Sequence, residues 1–290
     1  MKLRLVIPKG SLETATVDVF KRAGFNIIIK KRSYSPFIDD ENISVGLLRA
    51  QDIPRFVEER AFDCGITGSD WVRENNSKVV RVVDLVYAKQ TLGSVRWVLA
   101  VPESSKIRYP KDLKGKRLAT ELVNVTKAYL RKNKVDAKVE FSWGATEAKV
   151  GSGIIDGIVE LTETGRSLKE QNLRIIDTVY ESTTRLIANK LSWKDKAIRK
   201  TIENLALLLK GAVSAEGKAG LKMNVSSDNL NKIISLLPAM KKPTVSSLFR
   251  SDWFDIETII DEKVAKILIP KLKDAGAQGI VEYPLNKVIY

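Results

Sequence analysis

The chain has 290 residues, 44% hydrophobic and 29% charged, the balance of a soluble globular protein with length for two or three domains. It carries 49 Lys and Arg against 35 Asp and Glu, a formal charge of +14. The basic residues are scattered through every segment, which suits anionic small substrates better than a nucleic acid. One cysteine, Cys64, and no histidine exclude an internal disulfide, Ser-His and Cys-His nucleophile pairs, imidazole bases and nearly every zinc site.

No apolar run approaches the ~20 residues of a membrane helix, and the opening KLRLVIP reads as a strand rather than an export signal. The expected compartment is the cytoplasm, with Cys64 a packed thiol. Leu3–Pro8 is a predicted strand. Leu12, Ala15, Thr16, Val19, Phe20 and Ala23 recur at helical spacing, and Gly24 supplies the stop. Phe25–Lys30 is predicted as a second strand. Asp52 with Pro54 opens a helix that turns Ile53, Phe56 and Val57 inward, and Phe62–Thr67 reads as a buried strand.

A new run of strand, loop and helix units begins at Arg96–Val101. It includes Arg117–Thr120, a helix through Tyr129 and Leu130, and strands Val139–Phe141 and Gly157–Leu161. Thr184–Asn189 is a strand able to return to the first sheet. This alternation predicts an α/β core of two lobes crossed twice by the chain, a clamshell with its ligand cleft between the lobes. The expected division is lobe I over 1–92 plus 181–213, lobe II over 93–180, and a third domain over 214–290.

Lys194–Val213 is a long amphipathic helix with Ile198, Ile202, Leu205 and Leu209 on one stripe. Beyond it, strand Leu221–Val225, a helix through Leu230 and Leu237, strands Thr244–Phe249 and Trp253–Ile260, helix Glu262–Ala275 and strand Gly279–Tyr283 give βαββαβ. That order is the ferredoxin-like arrangement. Pro270 is expected to kink or break the last helix.

The strongest local chemical signal is Ile158–Leu168, IVELTETGRSL. A phosphate bound at a strand-to-helix turn needs backbone amides aimed at it and small residues for close approach. Thr164, Gly165 and Ser167 meet that need, and Arg166 adds charge. Glu160, at the strand end, suits two vicinal sugar hydroxyls. Thr-Gly alone is an ordinary helix start; the acid, Thr-Gly and Ser together favour a ribose-phosphate loop.

The chain resembles the ATP phosphoribosyltransferase family in its long form, with a C-terminal regulatory domain. The resemblance rests on IPKGSL (Ile7–Leu12), LLRAQDIP (Leu47–Pro54), DCGITGSDW (Asp63–Trp71), LATE (Leu118–Glu121) and the block Gly144–Leu168. In the last domain it rests on LLPAMKKPTVSSL (Leu236–Leu248) and AGAQGIVEYPLNKVI (Ala275–Ile289). Two positions depart from the usual pattern: Ser11 stands where PKGRL has arginine, and Leu122-Val123 where many members have Tyr-Pro.

The resemblance implies a periplasmic-binding-protein-like core and condensation of ATP with phosphoribosyl pyrophosphate, with Mg2+, as the first step of histidine biosynthesis. Glu160 and Lys9 are then the expected catalytic residues. Thr162, Glu163, Thr164, Gly165, Arg166 and Ser167, with Glu160, would bind phosphoribosyl pyrophosphate, and Glu163 is the one candidate for touching the metal. Lys9, Gly10, Ser11, Arg32, Arg49, Gly65, Thr67, Gly68 and Asp70 would face ATP and phosphates. Asn224, Thr244 and Ala277 are the expected contacts of histidine as feedback inhibitor, in a dimer or hexamer with no nucleic-acid or membrane partner. The architecture alone also allows a clamshell binding or regulatory protein without catalysis.

Overall fold

A computed structural model describes residues 2–30, 34–88, 93–144, 146–150, 153–238 and 242–290, the side chains of 147 and 148 excepted. In chain order the first half reads β1 (Leu3–Lys9), α1 (Glu13–Ala23), β2 (Ile27–Ile28), β3 (Phe37–Ile38), β4 (Ile43–Arg49), α2 (Ile53–Glu58), β5 (Cys64–Gly68), α3 (Ser69–Glu74) and β6 (Val80–Leu85). Next come β7 (Val95–Pro102), β8 (Arg117–Thr120), α4 (Val123–Lys132), β9 (Lys138–Phe141), α5 (Thr146–Val150), β10 (Gly157–Thr162), α6 (Arg166–Glu170), β11 (Leu173–Ser182) and β12 (Thr184–Ala188). The chain ends with α7 (Lys190–Lys194), α8 (Lys196–Ala215), β13 (Lys218–Ser226), α9 (Ser227–Leu236), β14 (Thr244–Ser247), β15 (Trp253–Asp261), α10 (Glu262–Asp274) and β16 (Gln278–Pro284). It divides into two compact units, Met1–Lys210 and Gly211–Tyr290.

The first unit holds two five-stranded sheets, ordered β4-β1-β5-β12-β6 and β11-β7-β10-β8-β9. The chain crosses from one sheet to the other after β6 and returns after β11. In each sheet four strands point one way, and the strand entered just after a crossing, β7 or β12, runs against both neighbours. Read from opposite ends the two orders superimpose, so the lobes repeat one plan. The repeat reaches single residues. Asp63, before β5, accepts from the Arg4 N–H at 2.9 Å and donates its own N–H to Arg4 O. Asp156, before β10, does the same with Arg117, at 2.9 Å in each direction.

Both faces of these sheets are covered, which is why their strands read as continuous apolar runs. Along β7, Trp97, Leu99 and Val101 join one core cluster while Val98 and Ala100 join another. Thr184–Ala188 returns to the first sheet as expected, inserted between β5 and β6. The predicted strand Phe25–Lys30 shrinks to Ile27–Ile28, which pairs with Phe37–Ile38. β11 went unpredicted as a strand because two register shifts, at Ile175/Asp177 and Thr178/Tyr180, break its alternation.

The second unit carries the expected βαββαβ order, its sheet arranged β14-β15-β13-β16. Leu221, Met223 and Val225 of β13 point into a core shared with Ile233 and Leu272. α10 runs on through Pro270, so the break expected there does not occur. Pro270 and Lys266 are both exposed, so the carbonyl freed by the missing N–H faces water and the break is avoided.

Candidate active-site cleft

A cavity of about 420 Å³ lies in the first unit where strand ends of both sheets meet, within the range of small-molecule sites. β1 delivers Lys9, with Gly10 and Ser11 following, and β4 delivers Arg49. Gly68 and Asp70 enter from the end of β5. From the other sheet β10 contributes Glu160, and Glu163 follows it. Two cations on one wall thus face two carboxylates on the other, on a scaffold of parallel strand ends.

Gly10 adopts φ 103°, a left-handed conformation that suits glycine. It lets the chain turn sharply from β1 into α1, and its N–H reaches Glu13 at 3.3 Å. The Lys9 ammonium sits 3.9 Å from the centre of the Tyr34 ring, held by cation–π attraction. Arg49 stacks 5.1 Å from the Trp143 ring, so a cation of one lobe rests on an aromatic of the other. Trp143 is 61% exposed, an apolar surface left open to the cleft.

Several lining residues escape the sequence reading, Glu121 and Trp143 among them. Glu121, at the end of β8, lies in the cleft. Burial pushes its carboxyl above the ordinary value, against the Gly144 N–H, the Gln51 side chain and the Arg49 charge. Its signal was present in the LATE motif, but nothing local distinguishes a cleft acid from a surface one. Trp143 carried no signal beyond its type.

The loop after β10 is internally wired. Thr162, 6% exposed, accepts from the Gly165 N–H at 2.7 Å, and Thr164 accepts from the Arg166 N–H at 3.4 Å. Gly165 takes φ 81° at the start of α6. The Arg166 side chain points to solvent and pairs with Glu170 at 2.8 Å. Thr162, Thr164, Gly165, Arg166 and Ser167 do not line the cavity itself; they form the loop leading out of it, beside Glu163.

Gly65 and Thr67 build the wall from behind. Gly65 is buried, and a Cβ there would meet Val6 at 2.6 Å and Ile53 at 2.8 Å. Thr67 is fully buried and donates its hydroxyl to Ala50 O at 2.7 Å. Asp70 lines the cavity yet is 3% exposed. Its Oδ2 accepts from the Trp97 indole at 2.6 Å and its Oδ1 from the Trp71 N–H. Burial raises its carboxyl above the ordinary value, and the Trp97 bond joins the two lobes. Arg32 lies outside the described residues.

In the second unit, Asn224 and Thr244 lie on the outer sheet face, in register rows with Asp255 and Glu257. The Lys222–Asp255 pair at 3.2 Å lies on the same face. Ala277 is buried in the core, its N–H donated to Leu272 O. Cys64 is buried within β5, and burial pushes its thiol up, so it is inert at neutral pH.

The family model described as HisG, ATP phosphoribosyltransferase, matches residues 49–211, and that described as HisG, C-terminal domain, matches residues 215–287. The ATP phosphoribosyltransferase of Solibacter usitatus is 55% identical over 289 residues, covering 100% of both chains. That of Thermodesulfovibrio yellowstonii is 54% identical over 287 residues, covering 99% of this chain and 98% of the relative. Among solved structures, the ATP phosphoribosyl transferase (HisG:HisZ) complex from Thermotoga maritima matches with a TM-score of 0.60 and 28% identity, over 72% of this chain and 98% of that chain. With a two-sheet first unit followed in the chain by a β-α-β-β-α-β second unit, the chain belongs to the ATP phosphoribosyltransferase family, in the form that carries a C-terminal domain.

Proposed function

We propose that the protein joins ATP to phosphoribosyl pyrophosphate, forming N1-(5-phosphoribosyl)-ATP and pyrophosphate as the first step of histidine biosynthesis. Adenine N1 attacks the anomeric carbon, the bond to pyrophosphate breaks, and the transition state resembles an oxocarbenium ion. Such a reaction runs on positioning and charge neutralisation and needs no imidazole. The observation that carries this reading is the facing of Lys9 and Arg49 from one lobe with Glu160 and Glu163 from the other.

Glu160 takes the ribose hydroxyls, and the Thr162–Ser167 loop takes the 5-phosphate through its amides and hydroxyls. Lys9 and Arg49 receive the phosphates of the nucleotide and of the leaving group. Ser11 leaves that side with one cation fewer than the family's PKGRL pattern. Among the described residues no three carboxylates gather into a metal cage. That donor set fits a magnesium ion carried on substrate phosphates and water, touched by the protein at most through Glu163. When bound, magnesium supplies charge neutralisation to the polyphosphates.

Histidine is proposed as feedback inhibitor, bound on the outer face of the second unit near Asn224 and Thr244, in a homodimer or hexamer. The cytoplasm is the proposed compartment; the supporting facts are a single buried thiol and no described helix long and apolar enough to cross a membrane. The test is the absorbance of product on mixing the protein with ATP, phosphoribosyl pyrophosphate and magnesium. Time-dependent product formation that needs both substrates is expected. No turnover, alongside tight binding of an unrelated solute or DNA, would overturn the reading.

A further inference from the structure

Behind the cleft, on the side where the chain crosses between sheets, lies a second groove of about 720 Å³. One wall is α3 and the turn after it, from the first lobe. The other is α4, from the second lobe, and β11 and β12 close the floor. Among the described residues four cations line it, Arg73, Lys127, Arg131 and Arg185, and no acidic residue does.

Some cations of this unit are paired, among them Arg117 with Glu140, Lys116 with Asp156 and Arg199 with Glu203. In the groove only Arg185 has such a partner, Asp84 at 2.8 Å. Among the described residues Arg73, Lys127 and Arg131 have no ion pair. Lys127 and Arg131 stand one helical turn apart on α4, where like charges repel. Ser77 adds a hydroxyl that is buried, lines the groove and has no hydrogen-bond partner among the described residues. Concentrated unpaired positive charge beside an unused buried hydroxyl is the chemistry of a phosphate site.

The carboxylate nearest by sequence, Glu74, is turned away from this role. It accepts from the Asn124 and Val125 N–H groups at 2.9 Å each, capping α4 and clasping the two lobes together. The clasp holds the groove's walls in place and leaves the cations uncompensated.

We propose that this groove is a second anion site, distinct from the cleft, for a small molecule bearing two or more phosphoryl groups. Arg73 reaches it from one lobe, and Lys127 and Arg131 from the other. Because both lobes supply ligands, the anion binds best at one lobe spacing and shifts the population toward it. The inference does not depend on the reaction proposed for the cleft.

The test titrates the full chain with tripolyphosphate and, separately, with CTP, by calorimetry at fixed salt. Wild type is compared with K127A/R131A and with K263A/K266A, which removes the same charge from α10. The groove variant is expected to lose one class of site, its Kd weakening about tenfold or more as two charge-assisted contacts are removed. The control is expected to match wild type, and an unchanged thermal midpoint excludes misfolding. Equal losses for both probes identify the phosphates as the recognised group, whereas much tighter CTP binding identifies a nucleotide. Unchanged binding in K127A/R131A, or equal weakening in the control, overturns the site. So does loss of binding accompanied by a changed oligomeric state, which would assign these cations to a contact between copies.

Discussion

Glu160 and Lys9 face each other across the cleft from different lobes, and each is proposed to act on a different part of the bound substrates. Alanine at either position is expected to lower kcat/KM by about 100-fold or more, the usual cost of removing a charged group aimed at developing charge. Unchanged kcat/KM in both variants would remove them from the machinery. Trp143 makes a different prediction. A largely exposed indole in a cleft wall, already stacked by Arg49, is suited to the flat face of a purine. Trp143→Ala is expected to raise KM for ATP about tenfold, in line with ~1–1.5 kcal/mol for an aromatic stack, and to leave KM for phosphoribosyl pyrophosphate nearly unchanged. Equal effects on both KM values would argue for a general disturbance of the cleft. A place for Lys9 at the cleft was readable from a Lys-Gly pair at a strand end; the placement of Trp143 was not, because its partner Arg49 is far away in the chain.

At the level of elements, Asp63 ties β1, β5 and α7 together. It accepts from the Arg4 N–H and guanidinium and from the Ser192 hydroxyl at 2.7 Å. Burial alone would raise its carboxyl; the Arg4 and Ser192 hydrogen bonds outweigh that and hold it below the usual carboxylate range. A lowered folded value means that the stabilisation is present above the unfolded value and is lost as pH falls through the lowered one. Asp63→Asn is expected to cost about 2 kcal/mol near neutral pH by breaking a charged network, and to flatten the loss of stability below about pH 4. Urea unfolding at several pH values measures both; equal acid slopes would contradict the assignment. α10 gives the opposite kind of prediction. Pro270 lacks the N–H that its turn needs but lies on the exposed face. Pro270→Ala restores the bond and is expected to stabilise the second unit by about 1–3 kcal/mol, read as a higher unfolding midpoint. A lower midpoint would mean that the ring itself packs.

Over the whole molecule, catalysis and regulation are proposed to sit in different units. Asn224→Ala and Thr244→Ala are therefore expected to weaken histidine inhibition while leaving uninhibited kcat and both KM values near wild type. A loss of kcat in either variant would contradict that separation. The internal repeat accounts for much of what could be read without coordinates. Two lobes of one plan give the same strand-and-helix alternation twice, and in both the apolar strands, helix stripes and glycine stops follow local periods of two and 3.6 residues. The ferredoxin-like order of the second unit was legible for the same reason.

What the sequence by itself determined is whatever short-range chemistry dictates: the alternating elements, the Gly24 stop, the Thr-Gly loop after an acidic strand end, and the exclusion of histidine and disulfide chemistry. Only the tertiary structure decided which residues share a space. It buried Gly65 and Thr67 behind the cleft wall, engaged Asp70 with Trp97, brought Glu121 and Trp143 into the cleft, and assembled Arg73 with Lys127 and Arg131. The physical reason is that each grouping joins residues from different strands, helices or lobes. Which of them meet is set by sheet order, strand register and the two crossings, which depend on the packing of the whole first unit and leave no periodic trace in any local window.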